Sequence, residues 1–241
     1  MSLGQNEAVL ENILAKLIKS AILPHDCYLA GGTALYFHFH HRLSVDLDFF
    51  SPKPFRPETF IYKFRQEYGE VDLELMQKDT LILFLSPERL KFSLFYLPYK
   101  PLSPLVPYEI EPGIICSLAS LDDIEAMKTL ALVQRGSAKD FVDLFYLLQK
   151  TGHSFADLSL LVQRKYDLDD KYNYHLKTAM VYFDDAEQEL GAIMVVDESR
   201  GIRSIVGKEW EDIKDFFVRL CLGGKSFFGI DSSRTSHRGL R

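Results

Sequence analysis

Residues 27–50 read CYLAGGTALYFHFHHRLSVDLDFF: a short apolar strand, a Gly-Gly-Thr turn, a helical run and a second strand carrying two carboxylates. Successive side chains on a strand point to opposite faces. A strand through 42–49 therefore sets Leu43, Val45, Leu47 and Phe49 against Arg42, Ser44, Asp46 and Asp48. The apolar face fixes the register, because a slip of one residue would bury both carboxylates. Asp is a poor strand former. Two on one face lie only about 6.6 Å apart at Cα and repel by roughly 2–3 kcal/mol at an effective dielectric near 20. A divalent cation turns that penalty into a binding site, and Mg²⁺ favours one or two carboxylates plus substrate phosphates. The alternative is a solvated polar face, with Arg42 neutralising one Asp.

The turn before the pair favours the first reading. Gly31 and Gly32 follow Tyr28-Leu29-Ala30 and open a helical run from Thr33 to about Phe39. Glycine lets the backbone approach a ligand closely, and the amides at a helix start attract anions. Thr33 is expected to cap the helix and to offer its hydroxyl. A phosphate cradle beside a metal site results.

Gly31-Gly32-Thr33-Ala34-Leu35, with Arg42-x-Ser44-x-Asp46-Leu47-Asp48-Phe49-Phe50, closely resembles the AbiEii/AbiGii-type toxins of the DNA polymerase β-like nucleotidyltransferase superfamily. The resemblance implies transfer of a nucleoside monophosphate from an NTP to a hydroxyl acceptor. The acceptor would be RNA, with the tRNA 3′ end one candidate, and the setting a bacterial toxin–antitoxin or abortive-infection system with a cognate antitoxin. Protein nucleotidylylation and non-catalytic nucleotide binding are the alternatives. It further implies Asp46 and Asp48 as ligands of Mg²⁺ or Mn²⁺, and Gly31, Gly32, Thr33, Arg42 and Ser44 as nucleotide-binding residues. A third carboxylate is expected on a later strand, where this chain has Ser93; Asp72 or Glu74 are the possible substitutes. Lys128-x-x-Ala131-Leu132-x-x-Arg135 and Lys139-Asp140-x-x-Asp143-Leu144 match the later motifs. By that match Lys128 neutralises phosphate, and Asp140 or Asp143 orients the lysine or contacts base or ribose. Without the resemblance, the same residues read as solvated or capping groups.

The rest of the chain reads as an α+β protein. An apolar stripe through Leu10, Ile13, Leu14, Leu17 and Ile18 predicts a helix over 5–21, closed by Pro24. A helix follows at 58–68, then strands at about 71–76, 80–85 and 90–97. With the two motif strands they form a mixed, nucleotidyltransferase-like sheet of about five strands. Residues 98–113 hold five prolines and read as a connection. Beyond it come helices at about 122–134, with Asp122 as cap, then 138–149, 154–166, 172–183 and 208–222. Expected boundaries are a nucleotidyltransferase-like domain over 1–115, a helical domain completing the site over 116–230, and a disordered tail over 231–241. Arg200 and Arg203 fall in an expected loop at 197–207, either a solvated turn or a substrate loop.

Among 241 residues, 47% are hydrophobic and 26% charged, as in an ordinary globular protein rather than a disordered one. The net charge of −6 offers no global attraction for nucleic acid, so an RNA acceptor needs a local site. Three scattered cysteines suggest buried thiols in a reducing compartment. With neither a leader pattern nor an 18-residue apolar run, a cytoplasmic location away from membranes is expected. His38, His40 and His41 are spaced too closely at one helix end to converge on zinc.

Overall fold

The computed structural model describes residues 3–86, 89–197 and 199–223; the expected tail at 231–241 lies outside them. Helix α1 (Leu3–Lys19) leads to strand β1 (Tyr28–Ala30), helix α2 (Gly31–Phe39) and strand β2 (Leu47–Ser51). Helix α3 (Pro57–Tyr68) precedes β3 (Asp72–Gln77), β4 (Thr80–Leu85) and β5 (Leu90–Tyr96). Two more strands follow, β6 (Val106–Glu111) and β7 (Ile114–Leu118). These seven strands form one mixed sheet in the order β3-β4-β5-β2-β1-β7-β6.

The sheet is two strands larger than the expected five. Both extra strands come from the proline-rich stretch and its end. Pro107 is accommodated because β6 is an edge strand, where a missing N–H need not break a ladder. Pro112-Gly113 makes the turn into β7, with Gly113 at φ +81°, a conformation natural to glycine.

The second motif strand is shorter than its alternation suggested. Only residues from Leu47 onward pair, antiparallel to β1 and parallel to β5. Residues 43–46 are irregular, and Val45, expected in the core, is 53% exposed. Arg42 forms an isolated bridge to Val195, which draws the chain off the sheet before β2 begins. Inside β2 the alternation holds: Leu47, Phe49 and Ser51 are buried, whereas Asp48 and Phe50 are half-buried.

After β7 come α4 (Leu121–Gln134), α5 (Ala138–Thr151), α6 (Phe155–Tyr166), α7 (Asn173–Met180), the short α8 (Asp184–Glu187) and α9 (Gly207–Cys221). A hairpin of β8 (Met194–Val196) and β9 (Ile202–Ser204) occupies part of the expected loop. Arg203 there pairs with Glu209 at 2.5–2.6 Å, within a hairpin rather than the solvated turn or substrate loop expected. Helix α4 is capped by Ser120, whose hydroxyl oxygen accepts from the Asp123 amide, rather than by Asp122.

One apolar cluster packs α1, α2 and α3 on the sheet through Leu14, Leu17, Leu35, Phe64, Phe49 and Phe92. A second gathers Phe141, Trp210, Ile213, Phe217 and Leu220 among the later helices. The strap at 98–105 is tied to them by buried Asp123, which accepts from the amides of Leu102 and Ser103 and pairs with buried Lys165 at 2.6 Å. Among the described residues, no helix is long and apolar enough to cross a membrane.

Candidate active site

Strand pairing assembles the first half of the site. Ala30 on β1 lies opposite Asp48 on β2, and Ser93 on β5 lies beside Asp48 on the other flank. Gly31, at φ +69°, follows directly. A Cβ added there would sit 3.0 Å from Asp48 Oδ2, so only glycine brings this backbone so near the carboxylate. Gly31→Ala should cost about 1–3 kcal/mol through the strained φ and the displaced carboxylate, a loss of roughly 2–12 °C in thermal unfolding.

Asp48 is half-buried, and its pKa is raised: burial is the main cause, the Ser93 hydroxyl opposes it by donating a hydrogen bond, and the charge of Asp46 adds to the rise. Asp46, just before the strand, is 38% exposed at its side chain, with the Lys139 ammonium 4.0 Å away. A hard divalent cation fits this donor set, because it would remove the repulsion between two carboxylates whose side-chain partners among the described residues are only the Ser93 hydroxyl and the Lys139 ammonium. The proposed substitutes for a third carboxylate do not reach it. Asp72 and Glu74 lie on edge strand β3, separated from β2 by β4 and β5, and pair with Arg89 and Lys91.

The hydroxyls expected to face the nucleotide face each other instead. Thr33 and Ser44 are buried, with Oγ1 and Oγ 2.8 Å apart, and Thr33 donates to the Asp46 carbonyl. Thr33 is not a cap: α2 begins at Gly31 without side-chain capping. The pair instead clips the 43–46 loop to α2 and so aims Asp46.

Behind the carboxylates lies an ionic cluster from elements distant in sequence. Asp143 on α5 is fully buried. It accepts from Arg42 Nε at 2.6 Å and Nη2 at 2.8 Å, meets Lys128 Nζ at 2.6 Å, and receives His41 Nε2 at 2.5 Å. Asp140, one turn earlier and also fully buried, meets Lys128 at 2.9 Å, Arg135 at 2.7 and 2.9 Å, and the Ser137 hydroxyl at 2.7 Å. Arg42 thus neutralises Asp143, not Asp46 or Asp48. Burial alone would push both carboxyls up; the surrounding cations outweigh it and hold Asp140 and Asp143 below the ordinary value. Burial likewise opposes the charge on Lys128, and the two aspartates overcome it and raise its pKa. With Asp140 and Asp143 enclosed, neither presents a carboxylate to a base or ribose. Of the two roles the resemblance offered, their geometry suits holding the lysine.

A Cβ at Gly32 would overlap the Arg42 guanidinium and sit 3.0 Å from Ser44 Oγ. The two glycines therefore serve different neighbours: Gly31 admits Asp48, and Gly32 admits Arg42. Arg135 and Lys139 enter the sequence reading only as positions of the matched motifs, without a role, and Ser137 and His41 are not placed in the site by it. Ser137 lies three residues before Asp140, the spacing of a serine paired with a helix-start acid, which is a usable signal. His41 is joined to Asp143 across 102 residues, and no local pattern reveals that. His38 and His40 bond elsewhere, to the Ala119 carbonyl and Glu7, so the three imidazoles diverge.

The fold is that of a nucleotidyltransferase. It superposes on MenT4, a nucleotidyltransferase toxin of Mycobacterium tuberculosis, with a TM-score of 0.52 and 16% identity over 90% of this chain and 84% of that one. The Helicobacter pylori protein JHP933 gives a TM-score of 0.46 and 17% identity over 78% of this chain and 85% of its own. Residues 12–219 match the family model described as nucleotidyl transferase AbiEii toxin, type IV TA system, and the chain belongs to that family. An uncharacterized protein of Aquifex aeolicus (strain VF5) is 36% identical over 209 residues, 86% of this chain and 91% of the relative. The protein is accordingly a nucleotidyltransferase of the toxin type.

Proposed function

We propose that the protein transfers a nucleoside monophosphate from an NTP to a hydroxyl of RNA, with Asp46 and Asp48 holding Mg²⁺ or Mn²⁺. The observation that carries this reading is the apposition at Asp48, where Gly31, Asp46 and Ser93 surround a carboxylate whose charge the fold penalises. Bound there, the cation would supply charge neutralisation at the reacting phosphates.

The chain's own groups do the rest. The turn at Gly31 and Gly32 brings backbone amides at the start of α2 to the distal phosphates. Lys128 has three N–H donors and commits Nζ to two buried carboxylates. Asp140 and Asp143 thereby hold its charge in place, and the remaining donor serves phosphate. Lys139 stands at the open side, by Asp46. The acceptor hydroxyl gives its proton to solvent as its oxygen forms a bond to the α-phosphorus, the α–β phosphoanhydride breaks, and pyrophosphate leaves. We assign the sheet-containing part, which runs to the end of β7 at Leu118 and so past the expected boundary at 115, to the donor phosphates and the later helices to completion of the site. A cognate antitoxin, as the family implies, would silence the activity in a cytoplasmic setting.

The test is transfer of label from each of four α-³²P NTPs, with Mg²⁺, to total bacterial RNA or to total protein. Labelled RNA is the expected result and names the donor. Label in protein alone would replace the RNA acceptor by a protein hydroxyl, and no label in either would sink the reading.

A metal-free measurement bears on the same pair. Because the fold raises the Asp48 pKa, its ionised form weakens the native state, fully so above that raised value and not at all below the ordinary 3.8. Asp48→Asn should therefore melt above wild type at neutral pH in EDTA. The gain should vanish in strong acid.

A further inference from the structure

A cavity of about 340 Å³ opens between the C-terminal turn of α4 and helix α7, beside the ionic cluster yet unused by it. Its lining includes Leu132, Val133, Ala179 and Arg135. Tyr174, 74% exposed, and Tyr182, 50% exposed, stand on its lining. His175 meets Tyr174 edge-on at 5.9 Å. Arg135 joins cavity and centre: two of its N–H groups bond Asp140, and its side chain remains 55% exposed.

Large aromatic rings exposed on the lining of one pocket contribute little to the core. They offer π-faces to flat ligands. The volume lies at the small end of ligand pockets, enough for a nucleobase and too small for a duplex. Stacking is also what a chain of net charge −6 needs, because its overall field repels a phosphate backbone. Two tyrosines can each take a base of a strand, as in single-strand binding, whereas a mononucleotide has one base. Asp185 on the same lining can accept from an exocyclic amino group.

We infer that this cavity seats the 3′-terminal bases of a single-stranded RNA acceptor, with Tyr174 and Tyr182 as stacking platforms and Asp185 favouring a base that carries an exocyclic amino group over uracil. The inference rests on the RNA acceptor proposed above. Arg135, bonded to Asp140, sets the terminal nucleotide beside the centre in which Lys128 is held.

The test uses the full-length protein, Tyr174→Ala, Tyr182→Ala and Tyr174→Phe, with RNA oligonucleotides ending in each of the four nucleotides and carrying 2-aminopurine next to the end. Two readouts are taken: the 2-aminopurine fluorescence change on binding, and the separate KM values for RNA and for NTP. Each alanine variant should weaken oligonucleotide binding and raise the RNA KM about 5- to 100-fold, the range for one lost stack, while the NTP KM stays unchanged. Tyr174→Phe should behave as wild type, and oligonucleotides ending in C, A or G should bind more tightly than those ending in U. A rise in the NTP KM alone would give the cavity to the donor and overturn the inference. So would alanine variants that bind RNA as wild type does. Tyrosine-dependent binding without transfer would refute the transferase reading while this site stood. Transfer to RNA that ignores both tyrosines would do the reverse.

Discussion

Asp143→Ala is expected to lower the unfolding free energy by about 3–5 kcal/mol, the usual cost of leaving a buried charge without its partner. That corresponds to a fall of about 6–20 °C in thermal unfolding. The magnitude follows from the number of groups left behind. Arg42, Lys128 and His41 all converge on this carboxylate, each within 2.8 Å and each buried. Asp140 would remain beside Lys128 but already serves Arg135 and Ser137, so it cannot compensate fully. The pH dependence has a fixed sign. The Asp143 pKa is lowered in the fold, so its contribution is complete above the ordinary value of 3.8 and is lost only as pH falls below it. Denaturant unfolding of wild type and variant should therefore differ most at neutral pH and converge in strong acid. A difference under about 1 kcal/mol at pH 7 would mean that the cluster is not the structural centre described here.

The second large effect is on rate. Asp46→Asn/Asp48→Asn should lower nucleotidyl transfer by about 10³-fold or more, since cation-held charge at a reacting phosphate is worth several kcal/mol and each 1.36 kcal/mol is tenfold. Stability should move the other way. The double variant removes two neighbouring negative charges, one penalised by burial, and asparagine keeps the acceptor oxygen that Ser93 uses. Loss of activity with a melting temperature no lower than wild type separates a functional pair from a structural one. In Asp143→Ala, activity and stability should fall together.

The sequence's most local features were the most legible. The glycine turn, the apolar backing at Leu47 and Phe49 and the carboxylates at 46 and 48 lie within one strand–helix–strand unit, and the structure keeps them together. Local periodicity also served the helices, where stripes such as Trp210, Ile213, Phe217 and Leu220 bury one face. It failed where tertiary context decides. Val45 alternates correctly but leaves the core, because the bridge from Arg42 to Val195 pulls its segment off the sheet. The strand at 106–111 was masked by Pro107, harmless only at an edge that topology creates. Arg42 looked like a neighbour of Asp46 and Asp48, yet its partner is 101 residues away. The closeness of Lys128, Asp140 and Asp143 was suggested by resemblance. That the two aspartates are enclosed, and hold the lysine between them, is visible only in three dimensions.

The most direct test of the central claim is the initial rate of label transfer from a saturating α-³²P NTP to RNA. It would be measured for wild type in Mg²⁺, wild type in EDTA, and Asp46→Asn/Asp48→Asn in Mg²⁺, after confirming that the variant melts no lower than wild type. Transfer by wild type in Mg²⁺, with the other two near background, is the predicted result. A double variant as fast as wild type, or transfer that ignores EDTA, would contradict it.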